Sequence, residues 1–254
     1  MESACLIFRW SYVSQLRSKI TRINKLRRPG MKFVSGVLFA AMLAAPMFAQ
    51  KGVDERLAAA TEDLNDMMNA SDRGIPQDLL GRASCVVVVP NLKKGGFIVG
   101  AEYGVGFFTC RKASGVGWSA PGNVRISGGK FGLLIGGAET DVIMLVMNQT
   151  GMEHLLSDKF QIGGEASAAA GPLGRDASAM TDAELHAEIL TYSRQRGLYG
   201  GLDLSGAAVT QDSKANEAMY GHAISNKEIV TGDVHTPAAA RQFVHTLDRL
   251  SSRK

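Results

Sequence analysis

Residues 85–90 read Cys85-Val-Val-Val-Val-Pro90, an unbroken β-branched run that ends in proline. Such a run favours a buried strand over a helix, and proline ends it because it cannot donate to a strand ladder. Short apolar runs separated by glycines continue over residues 95–148, and none has helical periodicity. This pattern predicts an antiparallel meander. Glycines within the runs, including Gly104 and Gly106, indicate bulges and bends, so we expect a curled or barrel-like sheet.

Helical periodicity flanks this glycine-rich region on both sides. Residues 54–70 follow a capping residue, Asp54, and place on one face Leu57, Ala60, Leu64, Met67 and Met68. Near the C-terminus, Thr236-Pro237 predicts the start of a last helix that runs to about Ser251. We therefore expect helices at both ends of the sheet.

One segment between these helices carries two signals. Residues 181–196 contain a capping box, Thr181 with Glu184, and also alternate like a strand. No long linker or internal repeat divides the chain after residue 50. The predicted fold class is α+β: a single domain over residues 50–254, with a curled antiparallel glycine-rich sheet or barrel-like meander and flanking N- and C-terminal helices.

Charge is divided unevenly along the chain. The formal net charge of the 254 residues is +4. Residues 1–49 hold eight basic residues and one acid, giving +7, whereas residues 50–254 hold 20 basic and 23 acidic residues, giving −3. The positive balance thus belongs to the N-terminal region. The acidic balance of the rest argues against nucleic acid as a partner.

The N-terminal region has the pattern of an export signal over residues 31–49. Lys32 precedes an uncharged run of 13 residues, 33–45. A helix of that length rises about 20 Å, short of a hydrocarbon core of about 30 Å. Cleavage after Ala49 predicts an exported protein, periplasmic or extracellular and peripheral to a membrane. Residues 1–30 are interpreted as an upstream extension from a mis-assigned start, with a transit peptide or an uncleaved anchor as alternatives.

Two cysteines, Cys85 and Cys110, lie in apolar strand-like runs of the predicted domain. Export permits a disulfide between them. Small unpaired core residues are the alternative, and it is the one we favour from sequence.

Enzyme and metal motifs are incomplete in this sequence. Gly117-Trp-Ser119-Ala-Pro121 resembles a nucleophile elbow but ends in proline, and Ser127-Gly-Gly-Lys130 lacks a following Lys-Thr-Gly. The five histidines show no paired metal-ligand spacing. We therefore predict a non-enzymatic protein without cofactor or metal. A hydrolase that uses Ser119 or Ser127 is the least favoured alternative.

Positive charge is concentrated in part of the predicted sheet. Residues 93–130 contain six cations and one acid, whereas residues 139–188 contain nine acids and two cations. The six cations, predicted here as lipid head-group ligands, are Lys93, Lys94, Arg111, Lys112, Arg125 and Lys130. The same stretch and its end carry the aromatic residues Phe97, Phe107, Phe108, Trp118 and Phe131. Cations beside aromatics suit an anionic lipid surface, where each Lys or Arg contributes about 1 kcal/mol.

A simpler alternative explains the same residues. Lysines at strand ends keep an edge soluble, and the aromatics belong to the core. Sequence alone favours this alternative.

Several segments taken together resemble the SYLF domain family over residues 75–250. They are Ile75-Pro76 with the strand through Val89-Pro90, Lys94-Gly-Gly-Phe97, Gly104-Val-Gly106, Trp118-Ser-Ala-Pro121, Gly132 through Gly136, Gly171-Pro-Leu-Gly-Arg175, Tyr192-Ser-Arg194, Gly197-Leu-Tyr-Gly-Gly-Leu202, Ala215-Asn-Glu217 and Tyr220-Gly221. Members include yeast and animal proteins that bind membrane phosphoinositides and, in yeast, actin filaments; bacterial members are usually exported single domains. The resemblance implies a lipid- or membrane-binding module without enzymatic activity.

The resemblance also identifies motif residues in this sequence, and the N-terminal helix differs from that of eukaryotic members. The motif residues of interest are Trp118, Arg175, Tyr192, Arg194 and Gly197. The two arginines either bind a head group or form internal salt bridges, and the adjoining glycine-rich turns favour the structural role. Eukaryotic members are associated with a lipid-contacting amphipathic N-terminal helix. The corresponding residues 54–70 have an acidic polar face, which departs from a basic membrane-surface helix.

The predicted function follows from the motifs and the charge pattern. We expect an exported, non-enzymatic protein that recognises anionic phospholipid or a membrane surface through the basic, aromatic-bearing meander. The alternative is a structural or protein-interaction module of the cell envelope with a protein partner. Actin bundling, as in eukaryotic relatives, is less favoured for an exported protein.

Overall fold

The computed structural model describes residues 34–70, 73–96, 99–131, 136–174, 180–195, 197–232 and 234–251. The side chains of residues 34–51, 99, 130, 131 and 136 are outside this description. The chain forms two compact units, residues 1–45 and 46–254. In the first unit the described residues, 34–45, are helical, and the predicted upstream extension lies outside the described residues.

Seven α-helices are formed by the described residues. They are α1 Val34–Asn69, α2 Gln77–Arg82, α3 Gln149–Leu155, α4 Asp182–His186, α5 Ser213–Tyr220, α6 Asn226–Thr231 and α7 Arg241–Leu250, with a 3₁₀ turn at Ala238–Ala240. Across the described segments, no helix is long and apolar enough to cross a membrane.

Nine strands of the described residues form one sheet. They are β1 Cys85–Gly96, β2 Val99–Cys110, β3 Gly122–Phe131, β4 Gly136–Val146, β5 Lys159–Gln161, β6 Ala168–Ala170, β7 Ile189–Gln195, β8 Leu198–Gly200 and β9 Ala208–Gln211. Their order is β5-β9-β3-β2-β1-β4-β7-β6, and β8 also pairs with β7. The predicted α+β class with a curled, mainly antiparallel sheet is confirmed.

The order of the sheet differs from a simple meander at β4. Strands β1, β2 and β3 pair in succession, but β4 pairs with β1. The spatial order β3-β2-β1-β4 is that of a Greek key. As a result, β3 and β4 flank the β1–β2 hairpin on its two sides.

Close approach between β1 and β2 requires glycine in β2. A Cβ atom on Gly106 would lie 2.2 Å from the Val88 carbonyl oxygen, and one on Gly104 would lie 2.7 Å from Leu92 Cδ1. The β1–β2 register also shifts between Val88 and Lys93, where Asn91 has a positive φ of 52°. The bulge and the missing side chains let the sheet curl.

Each face of the sheet carries its own hydrophobic core. On one face, α1 packs through Leu57, Ala60, Leu64 and Met67 in a cluster that includes Phe107 and α7 residues such as Phe243 and Leu247. On the opposite face, the curl encloses Val87, Phe108, Ile126, Phe160 and Val209. The predicted apolar face of residues 54–70 is therefore confirmed.

Two helix boundaries differ from the sequence predictions. The helix over residues 54–70 has no start at Asp54, because α1 runs through from Val34. Asp54 therefore lies inside a helix, where the backbone amides continue the helical hydrogen bonding, and not at a first turn whose free amides need a cap. The last helix begins later than Pro237, with a 3₁₀ turn before Arg241. By contrast, both signals in residues 181–196 are confirmed: Thr181 and Glu184 form the capping box of α4, and β7 follows.

Candidate functional site

The β1–β2 ladder has two chemically different ends. At one end Gly96 pairs with Gly100, and Gly100 pairs with Lys130. We call residues 93–96, 100–103, 127–130 and 136–139 the hairpin end. At the other, Cys85 pairs with Cys110. We call Cys85, Cys110 and residues 111–120 the disulfide end.

The six predicted head-group residues are distributed over both ends. Lys93, Lys94 and the backbone of Lys130 belong to the hairpin end, Arg111 and Lys112 belong to the disulfide end, and Arg125 pairs with Val105 between them. Lys93 lies eight positions after Cys85 along β1, which is about 26 Å at roughly 3.3 Å per residue. The six residues therefore do not form one continuous surface.

Carboxylates face both described lysines of the hairpin end. Lys94 Nζ lies 3.3 Å from Glu102 Oε2, and these side chains are 18% and 3% exposed. Lys93 Nζ lies 3.7 Å from Glu139 Oε1, and these side chains are 71% and 62% exposed. A buried acid needs its partner, whereas an exposed pair contributes about 0–1 kcal/mol. Lys94 therefore serves the interior, and Lys93 is available at the surface.

A groove of about 820 Å³ opens beside these lysines. The charged and aromatic residues that line it are Lys93, Lys94, Glu102, Tyr103, Glu139, Asp141 and Arg194. The six charged residues comprise three cations and three acids, so the described lining is balanced rather than basic.

Arg194 holds helix α1 to the sheet from the wall of this groove. Its Nη2 donates to Asp63 Oδ1 at 2.8 Å and to Asp141 Oδ2 at 2.9 Å, and its Nη1 donates to Asp66. Asp63 and Asp66 are on α1, and Asp141 is on β4. One guanidinium thus joins three elements through charge-assisted hydrogen bonds.

The excess of acid around Arg194 changes the protonation of Asp63. The pKa of Asp63 is raised to about 7. Burial is the largest cause, and the charge of Asp141 raises the pKa by more than the charge of Arg194 lowers it. Asp63 therefore titrates near neutral pH.

Arg125 has a comparable structural partner. Its Nη2 lies 2.9 Å from Asp212 Oδ2, and Asp212 also caps α5 by accepting from the Ala215 amide at 3.3 Å. Arg125 therefore fixes the start of α5 to β3.

The disulfide end is built around a covalent bond. Cys85 and Cys110 form a disulfide between directly opposed residues of β1 and β2. The sequence preference for two unpaired cysteines is therefore wrong. The reason is register: the two Cα atoms are 3.9 Å apart, a juxtaposition that spacing along the chain does not reveal.

Arg111 also has internal partners at this end. Its guanidinium lies 4.0 Å from the centroid of the Trp118 ring, and Nη2 donates to the Ser251 carbonyl oxygen at 2.9 Å. Trp118 Nε1 donates to Ser251 Oγ at 2.9 Å. The stacked pair therefore anchors the end of α7. Lys112 is exposed, and no described residue forms an ion pair with it.

Comparison with known proteins identifies the family. Residues 127–250 match the family model described as "Ysc84: Las17-binding protein actin regulator". LAS seventeen-binding protein 3 of Saccharomyces cerevisiae is 30% identical over 181 residues, which cover 70% of this chain and 39% of that protein. The chain belongs to the SYLF (Ysc84) family. Human SH3 domain-containing YSC84-like protein 1 is 28% identical over 186 residues, covering 73% of this chain and 54% of that protein. The SYLF chain thus spans about two fifths to one half of these relatives.

Most SYLF motif residues that the structure describes have structural roles. Trp118 and Tyr192 are buried, and Gly197 has a φ of +78° at the β7–β8 turn, a conformation that favours glycine. Arg194 makes the internal ion pairs favoured from sequence. Arg175 lies outside the described residues.

The aromatics of the predicted lipid surface are largely internal. Phe107, Phe108 and Trp118 are at most 2% exposed, so the core alternative is confirmed for them. Phe97 and the side chain of Phe131 lie outside the described residues.

A buried asparagine network was not predicted from sequence as a unit. Asn216 Oδ1 accepts from the backbone amide of Asn123 at 2.8 Å, and Asn216 Nδ2 donates to Asn226 Oδ1 at 2.8 Å. Asn226 Nδ2 in turn donates to the Asn123 carbonyl oxygen at 3.1 Å. The network fastens α5 and α6 to β3. The SYLF segment Ala215-Asn216-Glu217 contains one member, but nothing in sequence links it to the other two.

The candidate serines differ in exposure. Ser119 is buried, donates to the Ala120 carbonyl oxygen at 2.9 Å and accepts from the Cys110 amide at 3.2 Å, whereas Ser127 is exposed. The described part of the chain contains no group of three or more His, Cys, Asp or Glu residues arranged to hold a metal ion.

Proposed function

We propose that this SYLF protein is a non-enzymatic lipid-binding protein that attaches to anionic phospholipid through its hairpin end. The observation that supports the proposal is the strand register. Lys93 and Lys94 on β1 and Lys130 on β3 occupy the same end of the three-strand ladder β1–β2–β3, with Lys130 opposite Gly100 and Lys94 opposite Glu102. Only the surface-exposed members of this set contribute to membrane attraction, because Lys94 neutralises Glu102.

The sequence that joins these strand ends supports a membrane partner. Phe97-Ile98 joins β1 to β2, and Gly132-Leu-Leu-Ile135 joins β3 to β4; the structure of both joints lies outside the described residues. Apolar residues flanked by lysine have the composition that anionic bilayers attract, since cations meet the head groups and apolar side chains meet the acyl region.

Export is part of the same proposal. Residues 31–49 have the signal pattern, and a structural disulfide such as Cys85–Cys110 is typical of oxidising compartments. We propose a periplasmic or extracellular protein that is peripheral to a membrane.

Co-sedimentation of the full chain with phosphatidylglycerol vesicles tests the lipid proposal. Charge reversal at Lys93 and Lys130 is expected to lower binding roughly tenfold or more at low salt, since each lysine contributes about 1 kcal/mol near an anionic surface. Lys159→Glu with Lys214→Glu is the matched control, because both lysines are exposed and lie outside the hairpin end. Equal binding by the two double variants, or no binding by the unaltered chain, contradicts the proposal.

Protein binding is the second candidate function. The observation that favours it is the match to a family whose description names a Las17-binding actin regulator. Crosslinking in cells followed by mass spectrometry tests it. Recovery of one dominant protein partner supports this function. A crosslinking pattern without an enriched protein contradicts it.

A further inference from the structure

A cleft of about 420 Å³ lies at the disulfide end, away from the proposed membrane surface. Four half-buried apolar side chains from separate segments line it: Met152 and Leu156 at α3, Val230 on α6 and Val234 beyond it. The volume falls within the range of about 300–1,000 Å³ that is usual for small-molecule sites. The described lining is therefore a concave apolar surface rather than a flat one.

Positive charge lies beside these apolar walls. Arg111 and Lys112 line the same cleft, and the described lining contains no carboxylate. The guanidinium of Arg111 is held by Trp118 and Ser251, so its charge is fixed in place. Lys112 is exposed, so its ammonium group can reach a ligand at the cleft.

We propose that this cleft binds one anionic single-chain amphiphile, a fatty-acid carboxylate. Its chain lies against Met152, Leu156, Val230 and Val234, and its carboxylate pairs with Lys112. The apolar walls favour an alkyl chain because contact with them removes apolar surface of the chain from water. The two cations select an anionic head group over a neutral or cationic one. This site goes beyond the proposed function, because it takes single molecules from solution and uses no residue of the hairpin end.

Isothermal titration of the full chain with laurate, below its micelle concentration, tests the site. Lys112→Glu is expected to weaken laurate binding about fivefold or more, as for loss of an exposed ion pair. Val230→Trp is expected to abolish saturable binding by filling the cleft. Lys214→Glu is the matched control and is expected to leave laurate affinity unchanged, because it makes the same charge change at an exposed lysine outside both the cleft and the hairpin end.

Ligand and folding controls make the outcome decisive. Dodecyltrimethylammonium carries a cationic head group on a chain of twelve carbons, the same number as in laurate when its carboxylate carbon is counted, so it is expected to bind at least tenfold more weakly than laurate. Val230→Leu fills the cleft with a smaller side chain than tryptophan. Circular dichroism checks the fold of each variant. Unchanged laurate affinity in folded Lys112→Glu and Val230→Trp overturns the proposal, as does equal affinity for the cationic amphiphile. The vesicle assay is separate, so either proposal can fail alone.

Discussion

The hairpin end and the disulfide end belong to the same pair of strands, yet they use positive charge differently. At the hairpin end, Lys93 forms only an exposed pair, and Lys94 beside it neutralises a buried acid. At the disulfide end, Arg111 is stacked on Trp118 and bound to the last turn of the chain, whereas Lys112 is exposed. Among the cations whose side chains the structure describes, each end therefore contains one that serves the fold and one that faces solvent. The density of charge in sequence does not separate these roles, because partners across the sheet decide them.

Arg194→Ala is expected to have the largest effect and to show that a cation lining the hairpin-end groove can be structural. It leaves Asp63, Asp66 and Asp141 together without their cation, which costs about 3–5 kcal/mol as for other broken buried pairs. Urea unfolding at pH 7.5 measures the change. Arg249→Ala, which removes an exposed hydrogen bond to Asn65, is the control and is expected to stay within about 0.5 kcal/mol. Similar losses from both variants contradict the role of Arg194.

Removing the disulfide is expected to weaken one end of the ladder selectively. The bridge joins residues 25 apart, and closing a loop of that size contributes about 3.5 kcal/mol. The Cys85→Ala, Cys110→Ala double variant is expected to lose about this much stability in urea. Hydrogen exchange under native conditions is expected to accelerate at Val86 and Thr109 more than at Lys94 and Ala101. Uniform acceleration along β1 and β2 contradicts this division of the ladder.

Two neighbouring lysines provide the sharpest internal comparison. Lys94→Ala leaves the Glu102 carboxylate buried without its ion-pair partner and is expected to cost about 2 kcal/mol. Lys93→Ala, one residue earlier, removes an exposed pair and is expected to change stability by less than about 0.5 kcal/mol. Thermal unfolding of both variants measures the difference. Equal losses of stability in the two variants would contradict the different roles given to Lys94 and Lys93.

A pH slope, spread over several pH units rather than seen at one pH, is expected to originate at Asp63. The pKa of this acid is raised from its ordinary value of 3.8 to about 7, so the folded chain holds a proton that the unfolded chain has released. Between about pH 4 and pH 7 unfolding therefore releases a proton, and this group lowers stability as pH rises. Above about pH 7 its contribution is constant. Asp63→Asn is expected to remove this slope in urea unfolding series, and Asp54→Asn, on the same helix, is expected to retain it.

Local patterns predicted the elements that depend on nearby residues. The valines of β1, the apolar face of α1 and the Thr181–Glu184 capping box all rely on neighbours within a few positions. The site was less predictable because its contacts join distant parts of the chain. Arg194 and Asp63 are 131 residues apart, and Asn216 and Asn123 are 93 apart. For the same reason, the sequence did not establish that Phe107, Phe108 and Trp118, predicted for the lipid surface, lie in the core.

The amino-acid sequence by itself determined the family, the α+β class and the positions of most helices and strands, because periodicity, capping and glycine placement act locally. Only the tertiary structure decided which cysteines pair, which cations face carboxylates and which end of the ladder presents an apolar cleft. Those outcomes depend on strand register, which brings together residues that no spacing along the chain relates.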